Sequence, residues 1–140
     1  MEFSPGLRGV VAGETAISTV GKEGTSLRYR GFDATELTQN NTYEEVASLI
    51  ITNSLDDKDY KKSFAKYYLE ISKDTNLNNL LEEIKQKLHP MDVVRTIVSY
   101  KGELTTLRKQ KLDQEDKTEL SSRINATVCY IIASYHQESC

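Results

Sequence analysis

From Gly31 onward the chain repeats one device: a polar residue able to cap a helix, then apolar residues spaced three and four apart. Asp33, with Glu36 three residues on, opens a short helix reaching about Gln39. Thr42 followed by Glu45 is a capping box, and behind it Tyr43, Val46, Ala47 and Ile50 share a stripe. Asp57 caps a helix whose stripe is Tyr60, Phe64, Tyr67 or Tyr68, and Ile71. Asn76 caps the next, with Leu77, Leu80, Leu81, Ile84 and Leu88 on its apolar face. Pro90 suits a first helical position, where its missing N–H costs nothing. That helix carries Met91, Val94, Ile97 and Val98, and Gly102 marks its end. Each stripe has to bury against another, so the succession dictates helix-on-helix packing.

The opening of the chain differs. Residues Ala16 to Val20 alternate loosely, Leu27-Arg28-Tyr29-Arg30 alternates apolar with basic, and Gly21-Lys22-Glu23-Gly24 supplies turn residues between them. The pattern predicts a β-hairpin with Leu27 and Tyr29 on the buried face. Residues 103–117 are polar and charged and read as a solvated loop. A last helix aligns Leu120, Ile124, Val128, Ile131 and Tyr135. The expected fold is therefore mainly α: a short β-hairpin arm over 1–31, helices over 32–102, a polar loop over 103–117 and a final helix over 118–140. That makes about six amphipathic helices.

Bulk properties narrow the function classes. The net charge of -3 argues against a dedicated nucleic-acid binder. No apolar run is long enough for a membrane span. Met1-Glu2-Phe3-Ser4-Pro5 has neither the basic region nor the apolar core of a signal peptide. The two cysteines, Cys129 and Cys140, form no disulfide framework, which is consistent with a reducing, cytoplasmic setting.

Little catalytic chemistry is visible. His89 and His136 are far apart and neither has a second ligand at a recognised metal spacing. Gly21-Lys22 is followed by Glu23 and lacks the spacing of a phosphate-binding loop. Cys129 lies within the apolar helix and reads as a packed thiol, and Ser121-Ser122 as helix surface or cap. Glu44-Glu45 and Glu82-Glu83 are adjacent on their helices and point in different directions, which argues against a shared acid–base role. Arg108-Lys109-Gln110-Lys111 is followed at once by acidic residues and reads as a solvated mixed run. His89 is the one titratable group of interest. Pro90 pushes it towards an extended conformation at a helix entrance, which favours a capping or hydrogen-bonded histidine over a ligand.

Several stretches together carry a family resemblance. Ala12-Gly13-Glu14-Thr15-Ala16 leads to Thr19-Val20-Gly21-Lys22, then Tyr29-Arg30-Gly31, Thr42-Tyr43-Glu44-Glu45-Val46-Ala47 and His89-Pro90-Met91-Asp92-Val93-Val94-Arg95-Thr96, in that order. In this the chain resembles the N-terminal portion of citrate synthases, and within them the bacterial-type 2-methylcitrate synthases. The resemblance implies part of the helical large domain of an enzyme that condenses an acyl-CoA with oxaloacetate and hydrolyses the thioester. It implies an acyl-CoA as substrate and no cofactor bound by this chain. The partners implied are the remainder of the synthase or a second copy, with no nucleic acid and no membrane. The family's catalytic aspartate, its two histidines and its carboxylate-binding arginines match no residue here, so no catalytic, cofactor-binding or metal residue is assigned. His89 would begin a helix that supports the active-site region.

Departures from the family pattern are specific. Asp56 stands where a helix-starting proline is usual, Ile97 replaces a small residue, and Tyr100 and Lys101 occupy positions usually small or apolar. Enlarging a packed helix contact costs about 1–3 kcal/mol unless neighbours adjust. The expectation is a chain inactive in condensation by itself. The alternative is a divergent, non-catalytic helical interaction module or a degenerate synthase paralogue.

Overall fold

The computed structural model describes residues 13–19, 26–102 and 112–136, with His136 described by its backbone alone. The glycine turn at 21–24, the basic run at 108–111 and Cys140 lie outside the described residues. The chain forms two compact units, residues 1–40 and 41–140.

In the first unit, β1 (Ser18–Thr19), β2 (Arg28–Tyr29) and β3 (Phe32–Asp33) make an antiparallel sheet in that order. Tyr29 faces Phe32 and Arg28 faces Asp33 across the second ladder. The expected hairpin is thus extended by a third strand. Arg30 and Gly31 both take positive φ, 50° and 90°, the conformation that reverses a chain in two residues with the twist strands prefer. Leu27 corrects the predicted buried face: it precedes β2 and is exposed, whereas Tyr29 is half-buried. Asp33 then caps α1 (Ala34–Asn40), its Oδ1 accepting from the N–H of Thr35 at 2.8 Å and of Glu36 at 3.4 Å.

The second unit holds α2 (Tyr43–Thr52), α3 (Lys58–Ser72), α4 (Thr75–Lys85), α5 (Pro90–Lys101) and α6 (Gln114–His136). The capping box of α2 forms as predicted. Thr42 Oγ1 accepts from the N–H of Glu45, and the Glu45 carboxylate accepts from the N–H of Thr42 at 3.0 Å. That carboxylate also accepts from Asn41 and Lys61, and these donors hold it below the usual range. Asn53 closes α2 in the left-handed conformation at φ 66°, its N–H bonding the carbonyl of Leu49 at 3.0 Å.

Asp57 caps α3, and Tyr60, Phe64, Tyr67 and Ile71 are its buried side chains, as the spacing predicts. The cap of α4 is Asp74, two residues before the expected Asn76; it accepts from Leu77 N–H at 3.0 Å. The helix stops at Lys85, which leaves Leu88 beyond its end and exposed. In α5 Pro90 takes the first turn and His89 the cap, but the buried face is Val93 and Ile97, while Met91 is 66% exposed. Gly102 closes α5 with right-handed geometry at φ -68°. A Cβ there would sit 3.2 Å from the Ser99 carbonyl and 3.3 Å from that of Val98, both in its own helix.

α6 begins at Gln114, earlier than predicted. Asp113 explains it: its Oδ1 accepts from Asp116 N–H at 2.7 Å while its own N–H reaches the Asp116 carboxylate at 3.4 Å. The residues α6 buries are Ser122, Ala126, Thr127 and Ile131, whereas Ile124 of the predicted stripe is exposed. α6 lies principally against α3, and its second neighbour is α5.

The core of this unit has two clusters. Ile71, Leu77, Leu81, Val93, Ile97 and Ile131 form an aliphatic one. Ala47, Tyr60, Phe64, Tyr67 and Ala126 form an aromatic one, with Tyr68 and Cys129 against it. Burying each large aliphatic side chain contributes about 1.5–3 kcal/mol. Ile97, one of the departures noted above, is fully buried in the first cluster; Tyr100, another, is exposed.

Candidate functional site

His89 stands where the chain enters α5. Proline after it holds it extended, with ψ 142°. Its Nδ1 accepts from the N–H of Met91 at 3.3 Å, and its carbonyl accepts from Val93 N–H at 3.1 Å. The residue is exposed, and it acts as a helix cap. The side chain of His136 lies outside the described residues, so the structure places the two histidines in no common site.

Elsewhere, the described residues enclose a concavity between α3, the end of α5 and α6. It is a cleft of about 330 Å³. Ile71, Val98, Leu120 and Ile124 form its apolar walls, and Asp74, Lys101, Arg123, Glu70 and the Tyr67 ring bring polarity. Asp74 does two jobs there. One oxygen caps α4 and the other accepts from Lys101 Nζ. The Lys101 ammonium, and next the Leu77 amide, hold the Asp74 carboxyl below the usual range. Arg123 lies over the Tyr67 ring with its guanidinium carbon 5.0 Å from the centroid. The Tyr67 hydroxyl donates to the Glu119 carboxylate. Burial first, and that carboxylate second, push the Tyr67 phenol up to about 12.

Beside the cleft, α3 and α6 are joined by further polar contacts. Ser63 and Ser122 share a hydrogen bond of 2.9 Å between hydroxyls, and Asn125 Nδ2 donates to Tyr60 Oη at 3.0 Å. Tyr130 Oη donates to Asn78 Oδ1 at 2.8 Å, tying α6 to α4. Ser122 corrects the reading of the serine pair as surface or cap: it is fully buried. Cys129 is half-buried against the aromatic cluster, and burial pushes its thiol up, as expected for a packed cysteine. Glu45 bonds within the α2 cap, whereas Glu82 pairs with Lys85 and Glu83 with Lys87, so neither adjacent pair acts as a unit.

Among the described residues no three His, Cys, Asp or Glu side chains converge as a metal site would require. Sequence reasoning missed Asp74, Lys101, Tyr67 and Arg123 as neighbours. Nothing local signals that they meet, since they come from α3, α5, α6 and the cap of α4.

Comparison with known proteins is consistent along the chain. The family model described as "Citrate synthase, C-terminal domain" matches residues 6–139. A 2-methylcitrate synthase of Shewanella oneidensis is 36% identical over 129 residues, covering 89% of this chain and 34% of that protein. "2-Methylcitrate synthase 1" of Corynebacterium glutamicum is 37% identical over 100 residues, covering 69% of this chain and 26% of that protein. A citrate synthase of Heyndrickxia coagulans is 27% identical over 139 residues, covering 96% of this chain and 36% of that protein. The chain thus spans between about a quarter and about a third of the length of the curated relatives it matches.

Proposed function

The chain belongs to the citrate synthase family, and from that premise we propose that it is the helical support of a citrate or 2-methylcitrate synthase and does not carry the condensation by itself. In the whole enzyme the reaction would join an acyl-CoA to oxaloacetate. It requires a base for the proton beside the thioester carbonyl and donors for the developing enolate. The carrying observation is that the chain matches the family over nearly its whole length yet spans between about a quarter and about a third of its relatives. The order of motifs from Gly13 to His89 supports reading it as the first part of the synthase fold. Within it, His89 fixes the entrance of α5 as a helix cap and takes no chemical part.

Unburied apolar side chains suit this support role. Tyr43 is 53% exposed, Ile132 49% and Ile124 39%. Tyr43, Val46, Ile50 and Ile124 line one groove between α2 and α6. Grooves of this kind need cover, which synthase polypeptide or a second copy would provide. The reaction is tested by following thiol release from propionyl-CoA or acetyl-CoA with oxaloacetate. No turnover is expected; release that depends on both substrates would overturn the proposal.

The second reading is a non-catalytic helical interaction module. It is favoured by the same exposed groove and by Ile97, a large side chain where the family has a small one. Catalytic recovery when the rest of a relative's synthase is supplied in trans separates the two: recovery supports the support role, its absence the module.

A further inference from the structure

The geometry points to a binding site for a short aliphatic carboxylic acid in the cleft between α3, α5 and α6, with Arg123 as its anchor. The argument starts from the charges. Lys101 and Asp74 neutralise each other, and the second oxygen of Asp74 is held by the Leu77 amide. Glu119 accepts from Tyr67. Glu70 sits at the exposed rim. Arg123 is different. It is half-buried, its guanidinium carbon lies over the Tyr67 ring 5.0 Å from the centroid, and among the described residues it makes no ion pair and its guanidinium donates no hydrogen bond.

A guanidinium presents five donors in a planar fork that a carboxylate matches with two of its own oxygens. Its cation–π contact with Tyr67 restricts the side chain in advance, so less freedom is lost when a ligand arrives. Ile71, Val98, Leu120 and Ile124 form an apolar wall, and the hydroxyl of Thr127, which also lines the cleft, already donates to the Arg123 carbonyl at 2.8 Å, so the rest of the cleft suits an apolar body. The ligand therefore combines one carboxylate with a short hydrocarbon chain. The cleft, about 330 Å³, sits at the small end of the range for organic ligands, which excludes a nucleotide or an acyl-CoA as a whole.

Hexanoate, hexanol and acetate test the two halves of the requirement on the full chain. Amide chemical shifts are followed by two-dimensional NMR during each titration. Hexanoate is expected to shift the signals of Gly102, Ile124 and Thr127 saturably. Hexanol lacks the carboxylate and acetate the apolar body, and each should bind about tenfold or more weakly, the worth of one charge-assisted contact. Arg123→Gln should abolish the advantage of hexanoate over hexanol. Val98→Phe fills the cleft and leaves Arg123 in place, and it should abolish both. Equal binding of hexanoate and hexanol, shifts that map away from the cleft, or no saturable shift in the folded chain would each overturn the site. Such a result leaves the condensation reading standing.

Discussion

The two halves of the helical unit are held together by different means. Where α4 and α5 meet the end of α6, the core is aliphatic: Leu77, Leu81, Val93, Ile97 and Ile131, with Ile71 from α3. Where α2 and α3 meet the middle of α6, Tyr60, Phe64, Tyr67 and two alanines pack, with hydrogen bonds from Asn125 and Ser122. The aliphatic half is mainly non-directional contact and supplies burial, with the Tyr130–Asn78 hydrogen bond and the Lys101–Asp74 pair at its edge. The aromatic half has little volume from α6, because Ser122 and Ala126 let the helices approach closely. Its hydroxyl and amide pairs then fix register, since a shift of one residue would strand every partner. The arrangement assigns stability mainly to one half and alignment mainly to the other.

Substitutions can break or sharpen that contrast. Leu77→Ala, at a fully buried position of the aliphatic half, should cost about 2–5 kcal/mol in urea unfolding, the largest effect expected. Ala126→Leu forces volume into the closest approach of α3 and α6 and should cost about 1–3 kcal/mol. If it proved neutral, the helices would not be as tightly opposed as described. Tyr60→Phe removes the acceptor for Asn125 and leaves the ring in place; about 1 kcal/mol should be lost, together with faster amide exchange in the facing turns of α3 and α6.

The smallest effect concerns acid. The Asp74 carboxyl is depressed by Lys101 and the Leu77 amide, so the folded state binds that proton less readily than the unfolded state. The stabilisation is present above the unfolded value of about 3.9 and disappears as pH falls through the lower folded value. Asp74→Asn should therefore be less stable than the parent at pH 7, with the gap closing below about pH 4. A gap independent of pH would show that the cap, and not the charge, is what Asp74 supplies.

The same contrast decides what could be read in advance. The stripe of α3 was legible because Tyr60, Phe64, Tyr67 and Ile71 are large and fall on a helical period. The buried face of α6 was not, because Ser122, Ala126 and Thr127 carry no hydrophobic signal. Periodicity instead selected Ile124, which the fold leaves exposed. α2 shows the same in miniature: Ser48 is fully buried because its hydroxyl donates to the Ser54 carbonyl at 2.6 Å, a partner supplied by the turn beyond the helix. Caps were legible to within a few residues, since Asp57 and Thr42 are local signals. Asp74 prevailed over Asn76 because it also meets Lys101, a residue of another helix. The family followed from ordered motifs, whereas the cleft, assembled from residues 67 to 127, has no counterpart in any local pattern.

The support role is tested most directly by the association state of the chain. The exposed faces of α2 and α6 are proposed to be covered by further synthase polypeptide or a second copy. Sedimentation velocity over a wide concentration range should then show the chain associating, with Ile124→Asp reducing the association and leaving the helical content intact. A monomer at every concentration, unchanged by that substitution, would contradict the account.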